Sequence, residues 1–342
     1  MGQGWNIQDG DKYFATQRRN ADHANEQTIK FFYELMKGIA RDMYLHTAQA
    51  LRITRRPSEK SGPLRILDMC AAPGGFLETA LDINPTALGT AFSLPESKGG
   101  HRFLLRPRDP PVTTKFLDLT MLAEDMGVDP ETIPADHPDA GNFLPRQFSP
   151  DEQLFDLVFA DGQVLRTHER AEYRENRESR RLTLTQLVLG LEHMQPRGTI
   201  VVLLHKMDTW DSLKLLYTFD QFSRVRLFKP KRAHAKRSSF YMVATEVRSR
   251  APEALAAIEQ WRAIWRTATF GTDDEYAAAL HVSSPEVEAV LEKFGTRYAR
   301  LGKPIWDIQA KALEKAPFMR AQPREWKGSK EVKGMNSITR VK

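Results

Sequence analysis

Between Leu64 and Val247 the chain alternates short runs of β-branched and apolar residues with stretches of helical patterning. The runs are LRILDM (64–69), ALGTAFS (87–93), TTKFLDL (113–119), LFDLVFAD (154–161), TIVVLLH (199–205), RVRLFK (224–229) and SFYMVATEV (239–247). Helical patterns fill several of the gaps, notably 168–194 and 210–222. Parallel strands need long crossovers and helices supply them, so this alternation specifies a mostly parallel sheet covered on both faces. The expected class is α/β, a doubly wound domain of seven strands.

The flanks read as helix. Ile29, Phe32, Leu35, Met36, Ile39 and Met43 recur at helical spacing, which predicts one long amphipathic helix over 24–52, ended by the basic break RRPSEKSGP. The Pro-, Asp- and His-rich interval 129–151 reads as a surface loop or insertion. Beyond about residue 250 the strands stop, and APEALAAIEQWRAIWR and SPEVEAVLEKFGTRYARL form a C-terminal helical extension, the second with Ser284 as cap and Pro285 in its first turn. Trp261, Trp265 and Trp306 sit at helical spacing, which favours core over a base-stacking platform. The segment from Arg324 to Lys342, with Lys327, Lys330, Lys333 and Arg340, lacks apolar periodicity and reads as a flexible basic tail.

Composition excludes several classes. The single cysteine, Cys70, rules out an internal disulfide and every multi-cysteine zinc site, and no HExxH occurs among nine histidines, so no metal site is expected. The longest apolar run, TIVVLL, is too short to span a bilayer, and MGQGWNIQDGDKYF lacks a secretory core and places Asn6 where myristoylation wants Ser or Thr. The expected location is intracellular, nucleus or cytoplasm. A formal charge of +6 over 342 residues suggests a polyanionic partner.

The turn after the first strand, DMCAAPGGF, lies where a doubly wound sheet receives its ligand. Gly74 and Gly75 permit dihedrals and close approaches that a Cβ forbids, and Asp68 can offer a carboxylate to a cationic ligand. The pattern is neither GxGxxG nor GxxxxGK[ST], which disfavours dinucleotides and nucleoside triphosphates.

LDMCAAPGGF resembles the S-adenosylmethionine motif of the FtsJ/RrmJ-like 2'-O-ribose methyltransferases. FDLVFADGQ is similar to the family's fourth strand with its catalytic Asp, and the stretch from RGTIVVLLHKMD to SSFYMVATE resembles its fifth to last strands. Within the family the likeness is to messenger-RNA cap ribose methyltransferases, and it covers about 25–247. It implies a Rossmann-like domain over 61–248 between an N-terminal helical segment (1–60), a helical extension (249–320) and the tail (321–342), with S-adenosylmethionine as cofactor.

By the same resemblance the cofactor residues are Asp68, Cys70, Ala71, Pro73, Gly74, Gly75, Phe76, Asp161, Asp118 near the adenine, and Ser93 or its neighbour at the ribose. Asp161 and Lys206 fall on the family's central catalytic Asp and Lys, at the ends of neighbouring strands. Lys37 matches the family's N-terminal catalytic Lys, with Lys30 as runner-up. The family's Glu at the start of the last strand is here Ser239, and Glu246 lies seven residues on, at about 3.3 Å per residue too far to replace it.

The resemblance implies methyl transfer to a ribose 2'-hydroxyl of RNA, at or near a capped end. An ammonium beside a carboxylate is chemically suited to hold or deprotonate such a hydroxyl. Lys229, Lys231, Arg232, Lys236 and Arg237, between the last two strands, form a basic rim able to neutralise phosphates. The missing Glu keeps two alternatives open: an inactive cofactor- or RNA-binding regulatory subunit, and a methyltransferase redirected to a non-RNA substrate.

Overall fold

The computed structural model describes residues 8–22, 24–55, 62–149, 154–282 and 285–320. The basic tail, the expected cap Ser284 and most of the RRPSEKSGP break lie outside the described residues.

Seven strands, β1 (Arg65–Asp68), β2 (Leu88–Ser93), β3 (Thr113–Phe116), β4 (Phe155–Ala160), β5 (Met194–His205), β6 (Arg224–Phe228) and β7 (Ser239–Val247), form one sheet in the order β3-β2-β1-β4-β5-β7-β6. All pairs are parallel except those of β7, which runs antiparallel to β5 and β6. The order reverses direction between β1 and β4, and the carboxyl ends of those two strands are where a doubly wound sheet opens to a ligand.

Helices α1 (Gln8–Asp22), α2 (Glu26–His46), α3 (Gly75–Ile83), α4 (Glu178–Glu192), α5 (Trp210–Phe222), α6 (Pro252–Phe270), α7 (Asp273–Val282), α8 (Val287–Glu314) and α9 (Pro317–Arg320) complete the described chain. Successive residues of β4 feed opposite cores, because side chains alternate across a strand. Val158 and Ala160 join Leu187, Leu216, Trp265 and Phe294 from α4, α5, α6 and α8, whereas Leu157 and Phe159 join Ile39, Met43, Phe76 and Leu77 from α2 and α3. Trp261 and Trp265 are buried there, so these aromatics serve packing, and α6 and α8 share one core with the sheet.

Three elements depart from the sequence reading. Helix α2 stops at His46 because Ala48 and Gln49 take left-handed dihedrals, φ 54° and 57°, which an α-helix cannot continue. The helix expected from 168 begins only at Glu178, because His168 and Arg174 are drawn inward to Asp118. Helix α1 carries so many charges that no apolar stripe marks it, yet Tyr13 and Phe14 pack on Phe318 of α9.

Candidate active site

The site begins with the turn between β1 and α3. Gly74 caps α3 at φ 109°, a conformation open to glycine, and a Cβ there would lie 3.3 Å from the Phe103 ring. Gly75 has a different reason from the one its motif suggests. A Cβ at that position would collide with the Tyr33 carbonyl oxygen and come within 2.8 Å of Met36 Cβ, so its bareness admits α2 against α3. Around the turn, the Ala71 N–H donates to Phe92 O at 2.9 Å and the Leu104 N–H to Pro73 O at 2.9 Å, tying it to β2 and to the 101–106 loop. Phe76 turns its ring away from the turn into the core, between Phe159 and Tyr241. Ser93, at the tip of β2, is buried.

Asp68 ends β1 and Asp161 follows β4 directly; the register pairs Asp68 with Phe159, so the two carboxyl groups lie near each other at one tip of the sheet. Asp68 accepts from the Cys70 N–H at 3.3 Å. Burial, then the charge of Asp161, raises the Asp68 carboxyl well above the usual range, and burial pushes Asp161 up to about 7. Neither carboxylate has a cationic side chain within 4.0 Å among the described residues. Two facing acids in this state fit a cationic ligand, whose charge would let both ionise. Gly162 brings the following loop down on Cys70: a Cβ there would collide with Sγ, and its N–H donates to Gln186 Oε1 at 2.9 Å. Burial and the neighbouring acids push the Cys70 thiol up, which makes it a packing group rather than a nucleophile.

Lys206 follows β5 with φ 55°, its N–H donating to Ser238 O at 3.1 Å and its carbonyl accepting from Thr209. The β4–β5 register pairs Ala160 with Val202, so Lys206 stands three residues farther along its strand than Asp161. Its exposed side chain forms no ion pair with Asp161 or any other acid among the described residues. Asp161 and Lys206, expected side by side at neighbouring strand ends, are therefore not an ion pair. His205 Nε2 lies 2.8 Å from Gln163 Oε1 and links the two strand-end loops instead.

Lys37 also has another partner. Its Nζ lies 3.1 Å from Glu78 Oε1, in a cluster where Tyr33 donates its hydroxyl to Glu78 and Arg106 closes the surface side. Glu78 is fully buried in the first turn of α3. Lys30 pairs with Glu26 on the exposed face of α2. Sequence reasoning missed Glu78 because it sought an acid for this lysine on the last strand; the available signal was an acid three residues past the double glycine.

Asp118 is filled within the protein. Its Oδ2 accepts from Arg174 at 2.7 Å and lies 3.2 Å from His168 Nε2, and its Oδ1 accepts from Thr120. Burial alone would raise this carboxyl, but His168 and Arg174 hold it well below the usual range. The acid expected near the adenine thus anchors the 168–178 loop through Arg174 and Glu178. Asp118, His168 and Glu178 lie close enough to hold a metal ion, but Arg174 and Arg181 already neutralise the acids. Beside the turn, Phe116 at the tip of β3 is 55% exposed and lies 6.3 Å from the Phe103 ring, an aromatic surface the motif did not announce.

The basic rim is only partly a rim. Lys231, Arg232 and Arg237 are exposed, and Lys236 sits over the Tyr13 ring of α1 at 5.4 Å. Lys229 corrects the expectation: it is 3% exposed, donates to Arg237 O at 2.6 Å and Ser239 O at 2.7 Å, and burial pushes its ammonium down to about 8. It holds the β6–β7 connection together at the place where the family's Glu was expected, and it is not free to meet a phosphate.

Residues 48–247 match the profile of the FtsJ-like methyltransferases, more than half of the chain. The chain belongs to the FtsJ-like methyltransferase family. The FtsJ-like domain is thus the doubly wound sheet, and its cofactor is S-adenosylmethionine. No curated protein matches the chain. Among solved structures, an O-methyltransferase family protein from Burkholderia thailandensis is 12% identical with TM-score 0.33, covering 67% of this chain and 63% of that one. Human methyltransferase-like protein 13 in complex with SAH is 12% identical with TM-score 0.35, covering 72% and 93%. The N-methyltransferase NodS from Bradyrhizobium japonicum is 13% identical with TM-score 0.34, covering 61% and 96%. The family assignment rests on the match over 48–247 and not on these remote likenesses.

Proposed function

We propose that this FtsJ-like protein transfers a methyl group to a ribose 2'-hydroxyl of RNA, inside the cell. The observation that carries the reading is the meeting of three features at one edge of the sheet: the facing Asp68–Asp161 pair, Lys206 on the neighbouring strand, and the exposed cations Lys231, Arg232 and Arg237.

When bound, S-adenosylmethionine supplies an electrophilic methyl group carried on a positive sulfur. Asp68 and Asp161 balance positive charge beside Gly74, which favours the ionised form of both. Lys206 holds the acceptor hydroxyl with its exposed ammonium, and the rim cations hold the phosphates on either side of the ribose. Asp161 regains its affinity for a proton once the positive charge beside it is gone, so the proton shed by the hydroxyl has an acceptor. Lys37, bound to Glu78, acts as a support for the first turn of α3.

One feature favours a second reading, a family member that binds cofactor and RNA without turnover: Ser239 and Lys229 occupy the position of the expected Glu. Incubating the protein with methyl-labelled cofactor and RNA pools separates the two. Label on ribose that Lys206→Ala removes supports transfer; RNA binding without label supports the second reading; label only on other acceptors overturns RNA as substrate.

A further inference from the structure

The opposite edge of the sheet, at the starts of β4 and β5, holds a cleft of about 660 Å3 walled by the turn after α2, the start of β6 and the end of β7. Asp156 lines it, whereas Asp161 lies five residues on at the other end of the same strand. At about 3.3 Å per residue the two places are ~17 Å apart, so the cleft is separate from the methyl-transfer edge.

Its electrostatics are one-sided. Five arginines line it, Arg52, Arg55, Arg197, Arg224 and Arg226, against two carboxylates. Asp156 is used up by Arg55 and the Arg65 N–H. Glu246 is shared, 3.2 Å from Arg197 and 3.5 Å from Arg224. Among the described residues Arg226 reaches only the Thr245 hydroxyl, at 3.4 Å, and Arg52 rests on the Tyr44 hydroxyl at 3.0 Å. Among the described residues the arginines on this concave surface outnumber the acids by three, with no acid paired to Arg52 or Arg226, and the planar guanidinium fork matches the oxygens of a phosphate.

Backbone strain gathers at the same place. Ala48, Gln49, Arg197 and Glu246 all line the cleft, and all have positive φ, 54°, 57°, 67° and 53°. Such conformations cost roughly 1 kcal/mol each in a non-glycine residue and persist where the surroundings impose them, commonly around ligands. Here Arg197 and Glu246, on adjacent strands, meet at 3.2 Å on the wall of the cleft.

We propose that this cleft is a second ligand site, which binds a phosphate ester: a small polyphosphate or the phosphates of an RNA strand. The site does not depend on RNA being the methyl acceptor. The full chain, saturated with S-adenosylhomocysteine to fill the adenosyl site, is titrated by calorimetry with inorganic pyrophosphate, a nucleoside triphosphate and a short RNA.

The expected result is saturable binding of at least one probe, weakened about tenfold or more in Arg224→Gln/Arg226→Gln and retained in Lys303→Gln/Lys311→Gln on the exposed face of α8. Binding of pyrophosphate or the triphosphate identifies a small polyphosphate as the source, and binding of RNA alone identifies RNA. Binding of no probe, or binding lost in Lys231→Gln/Arg232→Gln at the rim of the active site but not in the double arginine variant, overturns the proposal. Should the double arginine variant fold poorly, NMR of the unaltered protein decides: shifts at the 195–199 and 245 amides support the site, and their absence at saturation overturns it.

Discussion

Glu78 and Lys37 form a buried ion pair between the first turn of α3 and the middle of α2, Oε1 to Nζ 3.1 Å. The pair seats α2 on the cofactor turn, since Gly75 admits the same helix one turn earlier. Removing one member strands the other: Glu78→Ala is expected to cost about 3–5 kcal/mol in urea unfolding. Glu78→Leu/Lys37→Met is expected to cost less than the two single changes added together, because the double change leaves no orphaned charge.

The facing acids Asp68 and Asp161 predict a pH dependence. Both carboxyls are raised, Asp161 from 3.8 to about 7, so the fold holds protons that the unfolded chain has released. Stability is fully present below about pH 4 and is lost as pH rises through about 7; for Asp161 this amounts to up to ~4 kcal/mol. Asp161→Asn is expected to flatten the decline in melting temperature over that window. Cofactor affinity of the unaltered protein should rise with pH up to about 7, with proton release visible in calorimetry in buffers of different ionisation enthalpy. A flat profile would count against the paired acids.

Lys206 separates chemistry from folding. Its side chain is exposed and makes no ion pair among the described residues, so Lys206→Ala should change stability by less than ~0.5 kcal/mol. Cofactor affinity should hold, while methyl transfer falls about 10²-fold or more. A loss of cofactor affinity instead would place Lys206 at the cofactor rather than at the acceptor.

Two glycines make a matched pair. Gly75→Ala drives a Cβ into the Tyr33 carbonyl and is expected to destabilise by about 1–3 kcal/mol. Gly38→Ala, on the exposed face of α2 with nothing within 4 Å, should stabilise α2 by roughly 0.5–1 kcal/mol. Thermal melts of the two variants should shift in opposite directions.

The strand sequence was legible because a β-strand writes its burial into local order: FDLVFA and TIVVLLH leave no other economical reading, and the residues at their ends follow from where each run stops. Asp68 was placed at a strand end that way, and Asp161 by the resemblance of FDLVFADGQ to a family's fourth strand. Lys37 and Glu78 were not paired in advance, because they are 41 residues apart and each reads locally as a charge on a helix surface. Lys229 misled for the same reason, since a lysine in a basic run gives no sign that two backbone carbonyls will enclose it.

What this sequence determined by itself was the doubly wound sheet and the glycine-bearing turn after its first strand, consequences of short-range periodicity and of backbone positions that need glycine, while Asp161 was marked by resemblance to a family. Only the tertiary structure decided which charges are partners and which remain available: Glu78 for Lys37, Arg174 for Asp118, and a shared cleft for arginines scattered from Arg52 to Arg226. Charge pairing depends on distance in space and on exclusion of water, and neither is encoded in the order of neighbouring residues.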